Sequence, residues 1–176
     1  MEESYINGAE VVPDRGACAD GGPMTYALTQ GKTEGSRAKF AELFPAVWAI
    51  VEPWLREALA MNRQHLVTSQ DLRLGIEAGD YGLFLMRNRA DMIAAAAVVS
   101  FGQRPSDGGP YLALMACGGS GLEDWISDLV TNLKRVGRAA GCDEVMVLGR
   151  PGWRRVLAPY GAEEVSTILS VPTAEG

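Results

Sequence analysis

Histidine occurs once in this 176-residue chain, at His65, and cysteine three times, at Cys18, Cys117 and Cys142. The cysteines lie far apart with no C-x-x-C pair, which argues against a disulfide scaffold and against a zinc site. Such sparse cysteine fits a reducing compartment. His65 stands beside Asn62, Arg63 and Gln64 with no acid or cysteine partner in view, and reads as a surface or loop residue rather than a catalytic base. A basic excess is also missing. The 16 Lys and Arg are outnumbered by 22 Asp and Glu, for a net charge of −6, so no footprint for DNA or RNA is evident. Arg150, Arg154 and Arg155 can still form a local positive groove, although a solvated face is the usual fate of such clusters. Long apolar runs are absent too. The longest, Met92 to Val99, is alanine-rich; it falls well short of the roughly 20 residues of a membrane helix and reads as a buried strand. The N-terminus lacks the basic-then-apolar order of a secretory signal.

Hydrophobic residues make up 47% and charged residues 22%, a globular balance that at this length favours one domain with a sizeable core. Residues 1–23 differ from the rest. They are rich in Gly, Asp and Glu, contain Pro13 and Pro23, and show no apolar period. The expectation is a flexible N-terminal extension over 1–23 and a single domain over 24–176, with Met24 as an alternative start. An arm that binds a neighbouring subunit is the competing reading, and ordering it costs about 1–2 kcal/mol per residue.

Phe44, Val47, Trp48, Val51, Trp54, Leu55 and Ala58 fall at helical spacing. Pro53 should kink that helix or start a second one. Thr68 or Ser69 caps a short helix from about Gln70 to Ala78, ended by Gly79. Tyr81–Met86 and Met92–Phe101 form a hairpin around the Asn88–Asp91 turn. A turn from Arg104 to Pro110 leads to a strand over Tyr111–Ala116. The turn Cys117–Gly121 then feeds a helix from Leu122 to about Ala140. Its stripe of Leu122, Trp125, Ile126, Leu129, Leu133, Val136 and Ala140 is the most regular in the chain. A strand follows at Glu144–Leu148, then the turn Gly149–Trp153, a short helix from Arg154 to Tyr160, and a last strand over Glu164–Val171. Three meandering strands crossed to a fourth by a long helix make a mixed sheet. A glycine turn feeding a helix is also where an α/β protein can hold a phosphate, although the pattern alone is weak.

Three segments carry a resemblance: Ala116-Cys-Gly-Gly-Ser-Gly121, the helix end Arg138-Ala-Ala-Gly-Cys-Asp143, and Gly149-Arg-Pro-Gly-Trp153 followed by Tyr160-Gly-Ala162. In this order the chain resembles the GNAT superfamily, the GCN5-related N-acetyltransferases, over residues 43 to 172. More narrowly it is similar to small GNAT-like proteins encoded by bacteriophages, some of which sit among virion genes. The resemblance implies the acyl-CoA N-acyltransferase fold, a mixed, mostly antiparallel α/β sheet flanked by helices. In that fold the fourth strand splays from the fifth and acyl-CoA enters the gap. Its pyrophosphate rests on the helix N-terminus, where unpaired N–H groups and the dipole favour an anion. Met115, Ala116, Cys117, Gly118, Gly119, Ser120 and Gly121 are the cofactor-binding candidates this implies, and acetyl-CoA the cofactor, with no metal.

Two departures from the family's pattern stand out. Ala116 occupies the place of the leading Arg or Gln of the pyrophosphate loop. Leu157 stands where many members place a tyrosine that protonates the departing thiolate, and Tyr160 lies next to Gly161. Glu123 and Asp124 stabilise the first helical turn but repel a pyrophosphate. Near Met115 or Ala116 a backbone N–H can polarise a thioester carbonyl. Cys117 and Tyr160 remain weak catalytic candidates. Cys117 is either a thiol activated at a helix end or a buried apolar residue. The resulting expectation is a GNAT-fold protein of phage type, cytoplasmic or virion-associated, that binds acyl-CoA or other proteins of a phage particle with little acetyl transfer. An active N-acetyltransferase acting on a primary amine is the alternative, and a phosphate-binding domain of another α/β family a third reading. No nucleic acid and no membrane span are expected, and an oligomer is compatible with the sequence.

Overall fold

The computed structural model describes residues 25–28, 33–61, 67–88, 90–149 and 152–165. The expected extension over 1–23, His65, Arg150 and the expected last strand beyond Val165 lie outside the described residues.

Five strands form one sheet in the order β1-β2-β3-β4-β5: Thr25–Leu28, Tyr81–Arg87, Ile93–Gln103, Pro110–Gly119 and Glu144–Val147. The first four pair antiparallel, and β4 pairs parallel with β5. Helices α1 (Glu34–Met61) and α2 (Ser69–Ala78) pack on one face. Helix α3 (Leu122–Ala139) and the short α4 (Gly152–Leu157) pack on the other. The crossover through α3 is what allows two parallel neighbours in an otherwise meandering sheet.

Helix α1 is longer than its apolar stripe predicts and passes through both Pro45 and Pro53 without dividing. Phe40, Phe44, Trp48, Val51 and Leu55 are buried along it, and burial of that stripe outweighs the backbone bonds the prolines remove. Its start lies ten residues earlier than Phe44, at a reciprocal cap: Ser36 N donates to Thr33 Oγ1 at 3.2 Å and Thr33 N to Ser36 Oγ at 3.1 Å. Serine in place of the usual Glu or Gln hides this cap from a pattern search. Strand β1 was also not expected from sequence; four residues are too few for a period to emerge.

Helix α2 begins at Thr68, as its sequence indicates. Asp71 N donates to Thr68 Oγ1 at 3.2 Å, and Thr68 N to Asp71 Oδ2 at 2.8 Å. Bonds from the Thr68 hydroxyl and then its amide hold the Asp71 carboxyl below its ordinary range. Gly79 ends the helix in the left-handed region, at φ 84°. Thr68→Ala is expected to cost about 1 kcal/mol, read as a fall of roughly 2–4 °C in the thermal midpoint.

In α3 the predicted stripe is realised from Leu122 to Val136, while Ala140 falls at the C-cap and is exposed because the helix has already ended. Trp125, Ile126, Leu129, Val130 and Leu133 are buried, each worth about 1.5–3 kcal/mol of transfer free energy. Arg104, in the β3–β4 turn, donates to Asp107 at 3.0 Å, to Glu144 at 2.6 Å and to Asp143 at 3.0 Å. It thereby ties that turn to the head of β5.

Candidate functional site

Strands β4 and β5 are paired only from Tyr111 to Leu114, opposite Glu144 to Val147. The last rung is Leu148 N to Leu114 O, at 3.1 Å. Past it β4 continues to Gly119 with β3 alone, and the two parallel strands separate. Met115 is an extra residue at this point: Val98 faces Ala116 and Val99 faces Leu114. Such a bulge re-aims every peptide group that follows it.

The consequence follows from the alternation of an antiparallel ladder. Leu114 O points to β5, as its bond from Leu148 shows. Ser120 N points to β3, where it donates to Ala94 O at 2.9 Å. Counting back from Ser120, the peptide groups of Gly119 and Cys117 point away from β3, into the space that β5 leaves. The bulge thus falls at Met115 and Ala116, where the sequence leads one to expect a polarising amide, and the next peptide group to face the gap is that of Cys117.

That space is a cleft of about 520 Å³. Met115 through Gly119 form its floor, Trp54 and Glu57 of α1 one wall, and Leu122 and Trp125 of α3 its end. Leu148, Gly149, Trp153 and Arg155 close the remaining side. At the tip of α3, the amides of Gly121, Leu122 and Glu123 have no hydrogen-bond partner among the described residues, and Asp124 N is the first to turn back, onto Gly121 O at 2.9 Å. Trp125 Nε1 donates to Ser120 O at 2.8 Å and pins this tip.

The glycine turn expected over Cys117–Gly121 is shorter than its composition implies. Cys117, Gly118 and Gly119 belong to β4, opposite Ala97, Ala96 and Ala95, and only Ser120 and Gly121 turn. Two glycines have packing reasons of their own. A Cβ on Gly118 would collide with the Trp54 carbonyl, and one on Gly119, at φ 141°, with the backbone of Ala94 and Ala95. Ser120 and Gly121 lie outside the cleft lining, and the Ser120 amide is already used.

Cys117 lines the cleft but is half-buried and packs against the core beneath α3. Burial pushes its thiol up to about 12, so it stays protonated at neutral pH, the opposite of an activated nucleophile. Ala116 is buried against the α1 side. Tyr160 is not brought to the cleft. It lines a second cavity, of about 370 Å³, between α3 and β5, and its carbonyl accepts from Lys134 Nζ at 3.0 Å. Leu157 is buried in the core. Glu57 is a cleft residue that the sequence does not single out, and Trp54 and Arg155, expected as core and solvated face, also line the cleft. Helical spacing marks which residues share a face, but not which face meets a gap between two strands.

Among the described residues no three His, Cys, Asp or Glu gather as a metal site, and no helix is long and apolar enough to cross a membrane. No family model matches the sequence, and no curated protein does. Solved structures match by shape. An aminoglycoside acetyltransferase from an uncultured soil metagenomic sample superposes with a TM-score of 0.59 at 12% identity, over 86% of this chain and 99% of its own. A GNAT family acetyltransferase of Staphylococcus aureus gives 0.55 at 9% identity, over 86% and 98%. A predicted acetyltransferase of Clostridium acetobutylicum, solved with acetyl-CoA, gives 0.57 at 9% identity, over 85% and 96%. The five-stranded, mostly antiparallel sheet and its flanking helices are those of the GNAT acetyltransferase fold.

Proposed function

We propose that this protein binds acyl-CoA in the cleft between β4 and β5 and transfers the acyl group slowly or not at all. The observation that carries the first half is the open cleft floored by the outward-facing peptide groups of Cys117 and Gly119. When bound, acetyl-CoA supplies an acyl thioester on an extended arm that contains two amides. Those amides match the hydrogen-bonding pattern of an unpaired strand edge. The Leu122 and Glu123 amides are placed for phosphate, against the opposing charge of exposed Glu123 and Asp124.

The second half rests on what surrounds the cleft. A departing thiolate needs a proton, and the residues considered for that task are elsewhere or unsuited. Leu157 is buried, Tyr160 lines the other cavity, and the Cys117 thiol is too weak an acid. In this reading residues 24–176 are the binding domain, and the likeness to phage-encoded GNAT-like proteins makes a role within a virus particle the proposed setting.

Calorimetric titration with acetyl-CoA, paired with a thiol-release assay on simple primary amines, tests the reading. The expected result is micromolar affinity with turnover far below the 1–10³ s⁻¹ of ordinary enzymes. No heat at millimolar acetyl-CoA would reject the cofactor. Turnover in the ordinary range would establish the alternative, an active N-acetyltransferase. Absence from purified particles would remove the virion setting.

A further inference from the structure

Acyl-CoA carries its negative charge at the nucleotide end, on a pyrophosphate and a ribose phosphate. The cleft offers little to meet it on the α3 side. Ala116 brings no charge, and Glu123 and Asp124 are exposed acids in the first turn of the helix. Arg155 is the one cation in the cleft lining among the described residues. It is exposed, and among the described residues it has no ion-pair partner. Its neighbour Arg154 behaves differently. Arg154 does not line the cleft and pairs with Glu164 at 3.4 Å. The register of α4 separates the two: Gly152, Arg155 and Val156 line the cleft while Leu157 is buried in the core.

We infer that Arg155 holds a phosphate of the nucleotide end of bound acyl-CoA, supplying from α4 the cation that position 116 lacks. Guanidinium is suited to the task because its planar fork donates two parallel hydrogen bonds to phosphate oxygens. Binding would draw on both sides of the gap, with amides at the α3 tip and charge from α4. This assignment rests on the acyl-CoA reading above.

Affinities for acetyl-CoA, dephospho-acetyl-CoA and S-acetyl-pantetheine, measured by calorimetry on the full chain and on Arg155→Ala and Arg154→Ala, test it. Arg155→Ala is expected to weaken acetyl-CoA at least about tenfold and to leave S-acetyl-pantetheine within about twofold. Arg154→Ala, which removes the same charge from the same short helix, should stay within about twofold for acetyl-CoA. Loss confined to acetyl-CoA assigns Arg155 to the ribose phosphate, and loss shared with the dephospho form assigns it to the pyrophosphate; both support the inference. Equal weakening by the two arginine variants, or equal weakening of acetyl-pantetheine, would overturn it. Wild-type protein that binds acetyl-CoA while Arg155→Ala binds it as well rejects the Arg155 assignment alone. Wild-type protein that binds none rejects the acyl-CoA reading along with it.

Discussion

Gly118→Val should leave little folded protein. The hydrogen of Gly118 faces the backbone of Trp54, and any Cβ would overlap the Trp54 carbonyl. Overpacking a core usually costs about 1–3 kcal/mol because side chains give way. Here the obstacle is main chain in the interior of α1, which is held by its own ladder and by a buried stripe, so the cost should lie at or above the top of that range. Against a total of about 5–15 kcal/mol, such a loss appears as aggregation on expression or as a collapse of the denaturant midpoint. Gly141→Ala is the comparison. It replaces a glycine at positive φ, 75°, in open space, so only the backbone strain counts, and it should cost about 1–2 kcal/mol. If Gly118→Val unfolds at the wild-type midpoint, α1 does not lie on β4 at this point and the cleft has lost a wall.

Trp125→Ala should be almost as damaging, for a different reason. Trp125 is only 3% exposed, and its indole N–H holds the Ser120 carbonyl at 2.8 Å. Truncating a buried tryptophan costs about 3–5 kcal/mol. Trp125→Phe separates the two contributions. It keeps an aromatic ring in the core and removes the donor, so it should cost about 1 kcal/mol from the lost bond, plus whatever the smaller ring leaves unfilled. Because that bond fixes the turn before α3, Trp125→Phe should also weaken acetyl-CoA binding more than its stability loss suggests. Urea titrations with an unchanged slope would show that both effects are on stability itself. A Trp125→Ala protein within 1 kcal/mol of wild type would mean that the tip of α3 is anchored otherwise.

Much of this architecture is written locally in the chain. The stripe from Leu122 to Val136, the Thr68 cap, Gly79 and the hairpin around Asn88 each combine a period with a terminating residue, and their positions hold to within a few residues. The failures have physical causes. Glycine usually punctuates, so the sequence predicts a turn at Gly118 and Gly119. Here they extend a strand, because a helix on one side and a neighbouring strand on the other leave no room for side chains. Pro45 and Pro53 usually interrupt, but five buried residues keep α1 whole. The cleft was legible as a place, from the order strand, glycines, helix. Its chemistry was less so. Met115 shifts the register by one, and that shift decides which amides are presented. Arg154 and Arg155 look alike in sequence and differ only by their angle around α4.

The run of small residues where β3 meets β4 has a bearing on ancestry. Ala95 and Ala96 lie fully buried beneath the floor beside the parted strands, and Ala116, Gly118 and Gly119 leave much of that floor as main chain. Every amino acid but proline brings the same amide and carbonyl, so point mutations seldom erase a surface of this kind, whereas a single exchange can delete an acid, a base or a guanidinium. A lineage built this way can shed its reactive groups and still hold the same small molecule, which opens a path by which a transferase scaffold is retained as a binding module.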